Sequence, residues 1–166
     1  MITYGKNVYD NEEIKSVIKT LKNSTQMGKY VDHFEKKISK LFSKKYALMV
    51  NSGSSALILA LSAMNFKKGS EIITPCLNFG TAISSIMFNN LKPILVDVEI
   101  DSLQIDVKLI EKKISKKTKA ILVPNLIGNV PNWKELKKIA KKYNLKIIED
   151  SADTLGAKIN NMPTGK

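Results

Sequence analysis

The chain of 166 residues contains no arginine, and cysteine, histidine and tryptophan each occur once. A single cysteine, Cys76, cannot form an internal disulfide, so a reducing cytoplasmic compartment is expected. Without arginine, any phosphate would be bound by backbone amides, hydroxyls or lysine rather than by a bidentate guanidinium. No apolar run approaches the roughly 20 residues that a membrane-spanning helix needs. The first six residues also lack the apolar core of a secretory signal, so no membrane partner is expected.

Lysine supplies all 27 basic residues against 15 acidic ones, which gives a formal net charge of +12. The hydrophobic fraction of 43% suits one globular domain with a true core. The lysines are scattered over predicted helix faces, as in "EKKISK" and "ELKKIAKKY", and they form no basic recognition element. This pattern favours solvated helix faces over a nucleic-acid partner. His33 lies in an amphipathic helix and receives no role, and no metal site is predicted.

Hydrophobic periodicity predicts an α/β fold. Two amphipathic helices are expected first, over 10–22, capped by Asp10 or Asn11, and over 31–43. Five short apolar runs then alternate with four helical segments, and runs that are apolar on both faces indicate a mostly parallel sheet covered by helices, a three-layer sandwich. The predicted strands are 46–50, 71–75, 93–98, 120–124 and 146–150. The predicted helices between them begin near 57, 81, 107 and 133, and a hairpin begins within 156–166.

This reading divides the chain into an N-terminal helical segment, 1–45, and an α/β domain, 46–166. Ligands of open parallel sheets bind at the carboxyl ends of the strands. Polar residues follow four of the predicted strands, and the segments concerned are 51–55, 76–81, 125–129 and 149–153. If the strands are parallel neighbours, amides, hydroxyls, an aromatic ring and carboxylates would therefore meet in one crevice.

Each of these features has two interpretations. Ser54 or Ser55 could simply cap the following helix, or the free amides near Gly53 could bind an anion at its N-terminus. Phe79 could be a core residue or a platform for a flat ligand. Asp150 could cap a helix, pair with a lysine, or pair with a cationic ring nitrogen.

Pyridoxal phosphate would use all of these groups at once. Its phosphate suits a helix N-terminus, its flat ring suits an aromatic cover, and its pyridinium nitrogen suits a carboxylate. The order and spacing of the groups favour this cofactor more strongly than any single residue does.

The chain resembles the N-terminal part of the sugar aminotransferase family named DegT/DnrJ/EryC1/StrS. The stretches that carry the resemblance are "VNSGSSAL", "IITPCLNFGTA", "PILVDVEIDSLQID", "KTKAILVPNLIGN" and "NLKIIEDSADTLGA". The resemblance implies the large domain of a type I pyridoxal-phosphate-dependent transferase. It also implies enzymes that act on nucleotide-linked keto-sugars for surface polysaccharides, including lipopolysaccharide, with an amino donor such as glutamate and a homodimeric assembly.

Carried across by position, the resemblance assigns cofactor roles to several residues. Amides near Gly53, Ser54 and Ser55 would bind the phosphate, Phe79 would stack on the ring, and Asp150 would pair with the ring nitrogen. The two remaining matched positions depart from the family pattern, and they are Asn125, usually histidine, and Asp153, usually glutamine or histidine and close to the ring hydroxyl.

The departures resemble the branch of 4-keto-6-deoxy-sugar 3-dehydrases, in which histidine replaces the Schiff-base lysine. That lysine or histidine is expected roughly 30 residues beyond Asp150, past Lys166, and Lys166 itself is not assigned the role. The small C-terminal domain would be missing as well. The resemblance thus implies an N-terminal fragment that is inactive alone, from an aminotransferase or a dehydrase, or else a non-catalytic partner subunit.

Overall fold

A computed structural model of the chain describes residues 6–23, 25–26 and 28–165. Within them the six α-helices are α1 (Asn11–Asn23), α2 (Lys29–Leu41), α3 (Gly53–Ala63), α4 (Gly80–Phe88), α5 (Val107–Ile110) and α6 (Trp133–Lys142). The strands are β1 (Glu71–Pro75), β2 (Lys92–Val96), β3 (Thr118–Pro124), β4 (Lys146–Asp150), β5 (Lys158–Ile159) and β6 (Met162–Pro163). No helix among these described residues is long and apolar enough to cross a membrane.

Strands β1 to β4 form a parallel sheet in the order β2-β1-β3-β4. The chain moves from β1 to β2 on one side and then crosses back to β3 on the other side. The boundary between β1 and β3 is therefore a topological switch point, where open α/β sheets bind ligands at the carboxyl ends of their strands.

Both faces of the sheet are covered by helices, which confirms the three-layer prediction. Alternate strand residues point to opposite faces. Ile72 and Leu122 pack with α3 and α4 on one face, whereas Ile73 and Val123 pack with α5 and α6 on the other. All four side chains are fully buried.

The N-terminal helices form where predicted, but they bury little. Asp10 caps α1, because its Oδ1 accepts the Glu12 amide at 2.8 Å while its own amide donates to Glu13 Oε2 at 2.8 Å. This reciprocal pair is a capping box. Neither α1 nor α2 contains a buried residue, although Val31 and Ile38 of α2 are half-buried.

The strand predicted over 46–50 is wrong, and the sheet accordingly has four strands instead of five. These residues belong to no strand ladder in the described part of the chain. The Met49 amide donates instead to the Glu35 carboxylate at 2.7 Å. Tyr46 and Leu48 are 77% and 73% exposed. An apolar run becomes a strand only where a neighbouring strand edge supplies hydrogen-bond partners, and no such edge lies beside this run.

The predicted C-terminal hairpin is confirmed by the antiparallel pair β5 and β6. Asn160 and Asn161 connect the strands, with φ angles of 50° and 64°. Two left-handed residues match the twist of a two-residue hairpin, and asparagine tolerates that conformation well.

Candidate functional site

A cavity of about 600 Å³ opens at the switch point of the sheet. Its walls come from the N-terminus of α3 and from the segments that follow β1, β3 and β4. Six of the seven predicted site residues line it: Gly53, Ser54, Phe79, Asn125, Asp150 and Asp153. The structure therefore brings together groups that are up to 100 positions apart in the sequence (153 − 53).

The cap of α3 is Ser52, which corrects the alternative that Ser54 or Ser55 caps this helix. Ser52 Oγ accepts the Ser55 amide at 3.1 Å. The Ser55 hydroxyl donates to Asn51 Oδ1 at 2.7 Å, so both polar groups of Ser55 are already engaged and Ser55 does not line the cavity. The amides of Gly53 and Ser54 have no acceptor within the described residues. Two unpaired donors at the positive end of a helix dipole suit an anion.

Glycine at position 53 leaves the approach to these amides open. A β-carbon built on Gly53 would have no heavy atom within 4 Å. No other part of the described chain therefore crowds Gly53 in the direction of a side chain.

Phe79 also lines the cavity and is 70% exposed, so the core interpretation of this ring is wrong. Asn78 orients the turn, because its Oδ1 accepts the Phe79 amide at 2.8 Å and its Nδ2 donates to Thr74 Oγ1 at 3.1 Å. An exposed aromatic ring held on a braced turn can cover a flat ligand.

Asp150 ends β4 and faces the same side of the sheet as α3. It follows the core residue Ile148 by two positions, and strand side chains repeat with that period. Its Oδ1 accepts the Ala152 amide at 3.1 Å. The second carboxylate oxygen accepts no hydrogen bond from the described residues and remains available to a donor in the cavity.

Asn125 is only 1% exposed, and its side chain is already fully used. Its Oδ1 accepts the indole N–H of Trp133 at 3.0 Å, and its Nδ2 donates to Glu149 Oε1 at 2.7 Å. Although Asn125 lines the cavity, its polar atoms point into this buried network. A direct polar contact from Asn125 to a ligand would require breaking one of these bonds.

Asp153 lies at the cavity rim and holds a strained turn. Its Oδ2 accepts the amide of Ile127 at 3.0 Å. Ile127 has φ 53°, a left-handed conformation that β-branched residues rarely adopt. The hydrogen bond to Asp153 therefore helps to fix the loop in which the Ile127 side chain forms part of the cavity wall.

Much of the cavity lining comes from the segments predicted to meet in the crevice, but sequence reasoning missed the contribution of Leu103, which lies outside them. The N-terminus of α4, the helix predicted to begin near 81, reaches the cavity through Thr81, and its N-cap residue, Phe79, provides no side-chain cap. Leu77, Leu103 and Ile127 add an apolar wall. Leu103 lies in a loop, where a leucine gives no sequence signal of its own.

Cys76 follows β1 but lies outside this cavity, against Asp97 at the end of β2. Its thiol donates to Asp97 Oδ1 at 3.4 Å. Desolvation, followed by this hydrogen bond and the negative charge of Asp97, raises the pKa of Cys76 above its ordinary value. The amide of Val98, followed by the thiol, lowers the pKa of Asp97. The thiol is therefore protonated near neutral pH and is a poor nucleophile.

Several proteins of sugar metabolism are similar to this chain. A GDP-4-keto-6-deoxy-D-mannose 3-dehydratase of Escherichia coli is 35% identical over 99% of this chain and 45% of its own length. The lipopolysaccharide biosynthesis protein RfbH of Salmonella typhimurium is 40% identical over 78% of this chain and 31% of its own length. The chain thus spans less than half the length of these curated relatives.

Solved structures agree in fold. The Escherichia coli GDP-4-keto-6-deoxy-D-mannose-3-dehydratase with bound hydrated PLP matches with a TM-score of 0.91 at 35% identity, over 99% of this chain and 45% of the other. PseC of Helicobacter pylori, an aminotransferase of pseudoaminic acid biosynthesis, matches with a TM-score of 0.91 at 28% identity, over 98% and 44%. The predicted large-domain fold of type I transferases is thereby confirmed. The model of the DegT/DnrJ/EryC1/StrS aminotransferase family matches residues 7–166, and the chain belongs to that family.

Proposed function

We propose that this chain forms the N-terminal, cofactor-binding part of a pyridoxal-phosphate-dependent nucleotide-sugar aminotransferase. One observation carries the proposal: unpaired helix amides, an exposed aromatic ring and a carboxylate with a free oxygen line a single cavity. These are the three groups that the phosphate, the ring and the ring nitrogen of the cofactor require.

The residues present fit the cofactor. The amides of Gly53 and Ser54 would bind its phosphate, Phe79 would cover its ring, and Asp150 would keep its pyridine nitrogen protonated. When bound, pyridoxal phosphate supplies an electron sink for a carbanion formed on the substrate. Asp153 would lie near the ring hydroxyl while holding the turn at Ile127. Ser55 and Asn125 would act only indirectly, because their polar groups are engaged with other residues.

A pair of variants at position 53 tests the phosphate site. Gly53→Pro removes one unpaired amide, and proline is well tolerated at the first position of a helix. Gly53→Ala keeps the amide and adds a comparable steric change. We expect Gly53→Pro to weaken pyridoxal phosphate binding about tenfold relative to Gly53→Ala, measured by quenching of Trp133 fluorescence. Equal affinities of the two variants would contradict this phosphate site.

A pair of variants tests the carboxylate. Asp150→Asn removes the charge that would stabilise a protonated ring nitrogen, while Asp106→Asn removes a carboxylate that caps α5 outside the cavity. We expect the absorption spectrum of bound pyridoxal phosphate to change its pH dependence in Asp150→Asn only, because the ring nitrogen loses its proton more readily. A shift of the same size in Asp106→Asn would argue against a direct pairing.

A 3-dehydratase of a 4-keto-6-deoxy sugar is the second candidate activity. It is favoured by the 35% identity to the Escherichia coli 3-dehydratase over 99% of this chain. The residue of the longer protein roughly 30 positions beyond Asp150 distinguishes the two activities. Lysine there supports an aminotransferase and histidine supports the dehydratase. This residue is read from the coding sequence downstream. If it is neither lysine nor histidine, that result would contradict an intact enzyme of either kind.

We further propose the substrate class and assembly from the relatives. The substrate would be a nucleotide-linked keto-sugar, with an amino donor such as glutamate for an aminotransferase. The longer protein would be a cytoplasmic homodimer that serves lipopolysaccharide or related polysaccharide synthesis. Sedimentation of the longer protein, with one defined mass near twice that of the monomer, tests the assembly.

A further inference from the structure

One carboxylate oxygen behind the cavity collects hydrogen bonds from three separate segments of the chain. Glu149 Oε1 accepts the Asn125 side-chain amide at 2.7 Å, the Ser151 hydroxyl at 3.0 Å and the backbone amide of Gly165 at 2.7 Å. Glu149 precedes Asp150, so its side chain leaves the opposite face of β4. It therefore supports the strand end from behind the face that carries Asp150.

No salt bridge joins Glu149 to a lysine in the described residues. A half-buried carboxylate without a counterion needs several strong donors to offset its desolvation. The side-chain amide of Asn125, the Ser151 hydroxyl and the Gly165 amide meet that need. Movement of these donors away from the carboxylate would leave a half-buried charge with fewer partners, which favours their present positions.

Asn125 transmits this constraint to the cavity. Its backbone amide donates to the Asp150 carbonyl at 2.9 Å, and its Oδ1 accepts the Trp133 indole N–H at 3.0 Å. Pro124 and Asp150 are register partners, so Asn125 lies just past the last rung between β3 and β4. The Asn125 side chain, bonded to both Glu149 and Trp133, thus helps to keep the ends of β3 and β4 together.

We propose that Glu149 is a positioning residue for the cofactor site. By fixing Asn125, its carboxylate oxygen holds the end of β4 in the orientation that directs Asp150 into the cavity. Through Gly165, the same oxygen ties the segment after the hairpin to the sheet edge. This inference rests on the proposed function, since it concerns how Asp150 meets pyridoxal phosphate.

Three variants of the full chain test the assignment. Glu149→Met keeps the side-chain volume and removes the acceptor, and Glu149→Gln keeps an acceptor oxygen without charge. The control Glu135→Met removes a carboxylate two residues from Trp133 that pairs with Lys138 on the same helix. Pyridoxal phosphate is titrated into each by equilibrium dialysis. The near-ultraviolet circular dichroism of Trp133, the single tryptophan, is recorded without cofactor.

We expect Glu149→Met to bind pyridoxal phosphate about tenfold more weakly, which corresponds to about 1.4 kcal/mol, and to lose the Trp133 dichroic signal. Glu149→Gln should bind pyridoxal phosphate within about threefold of the unchanged chain and should regain the Trp133 dichroic signal, because the acceptor oxygen remains. Glu135→Met should match the unchanged chain. Should Glu149→Met fail to fold, Asn125→Leu, which removes the donor of the same bond at similar volume and adds no charge, replaces it, with cofactor affinity as its readout and the same expected loss of affinity.

Two results would overturn the inference. One is wild-type affinity with an unchanged Trp133 signal in Glu149→Met. The other is a Glu149→Gln variant as weak as Glu149→Met, since a rescued acceptor would then have no effect. Failure of the unchanged chain to bind pyridoxal phosphate would instead reject the proposed function. The Trp133 signal of the cofactor-free variants would still decide whether Glu149 holds Asn125.

Discussion

Gly165 lies against the ring of Phe42 so closely that a β-carbon on Gly165 would be 2.8 Å from Phe42 Cδ1. The φ angle of Gly165 is +84°, which also favours glycine. The contact joins the end of α2 to the segment after the hairpin. Because the Gly165 amide also donates to Glu149, one glycine connects the outer helix to the carboxylate behind the cavity.

Gly165→Ala should therefore destabilise the chain by about 2 to 4 kcal/mol, through steric overlap and a left-handed alanine. Urea unfolding measures this loss. Gly156→Ala is the matched control, because Gly156 has the same φ of +84° but no atom within 4 Å of a built β-carbon. We expect about 1 kcal/mol for the control. Equal losses at the two positions would mean that Phe42 yields to the added methyl group.

The sequence was sufficient to predict the parallel sheet and the cavity edge, because buried strands and helix stripes have distinct periods. It could not show that 46–50 lacks a pairing edge, since strand formation there depends on a distant partner. It also could not separate Ser52 from Ser54 or Ser55 as the cap of α3. All three are serines, and only the backbone conformation decides which hydroxyl oxygen accepts the amide of the third residue of the helix, here Ser55.

Ser52→Ala should destabilise α3 by about 1 kcal/mol, because the Ser55 amide loses its acceptor. Ser54→Ala is the control, since the Ser54 hydroxyl makes no hydrogen bond within the described residues. Its effect should stay within about 0.5 kcal/mol. Urea unfolding of both variants at one pH provides the comparison. A larger loss in Ser54→Ala than in Ser52→Ala would contradict the capping assignment.

Ile127→Asn should raise the free energy of unfolding by about 1 kcal/mol. Asparagine tolerates the left-handed conformation in which Ile127 lies, and the 55% exposed isoleucine side chain gives up little buried area. Leu126→Asn is the neighbouring control, because Leu126 has no positive φ to relieve. Thermal unfolding should show a higher midpoint for Ile127→Asn than for the unchanged chain, and no increase in the midpoint for Leu126→Asn. A lower midpoint for Ile127→Asn would indicate that its apolar contacts outweigh the backbone strain.

Asp97→Asn should make the Cys76 thiol more reactive. The negative charge of Asp97 contributes to the raised pKa of Cys76, and asparagine removes that charge while keeping an acceptor oxygen, so the variant lowers the pKa and increases the thiolate fraction at any pH below it. We expect iodoacetamide to alkylate Cys76 about two to three times faster near pH 8, a modest gain because the site is exposed and salt screens the charge. Asp101→Asn, which removes another exposed carboxylate, should leave the rate unchanged. A rate in Asp97→Asn that equals that of the unchanged chain would show that the charge of Asp97 does not raise the thiol pKa.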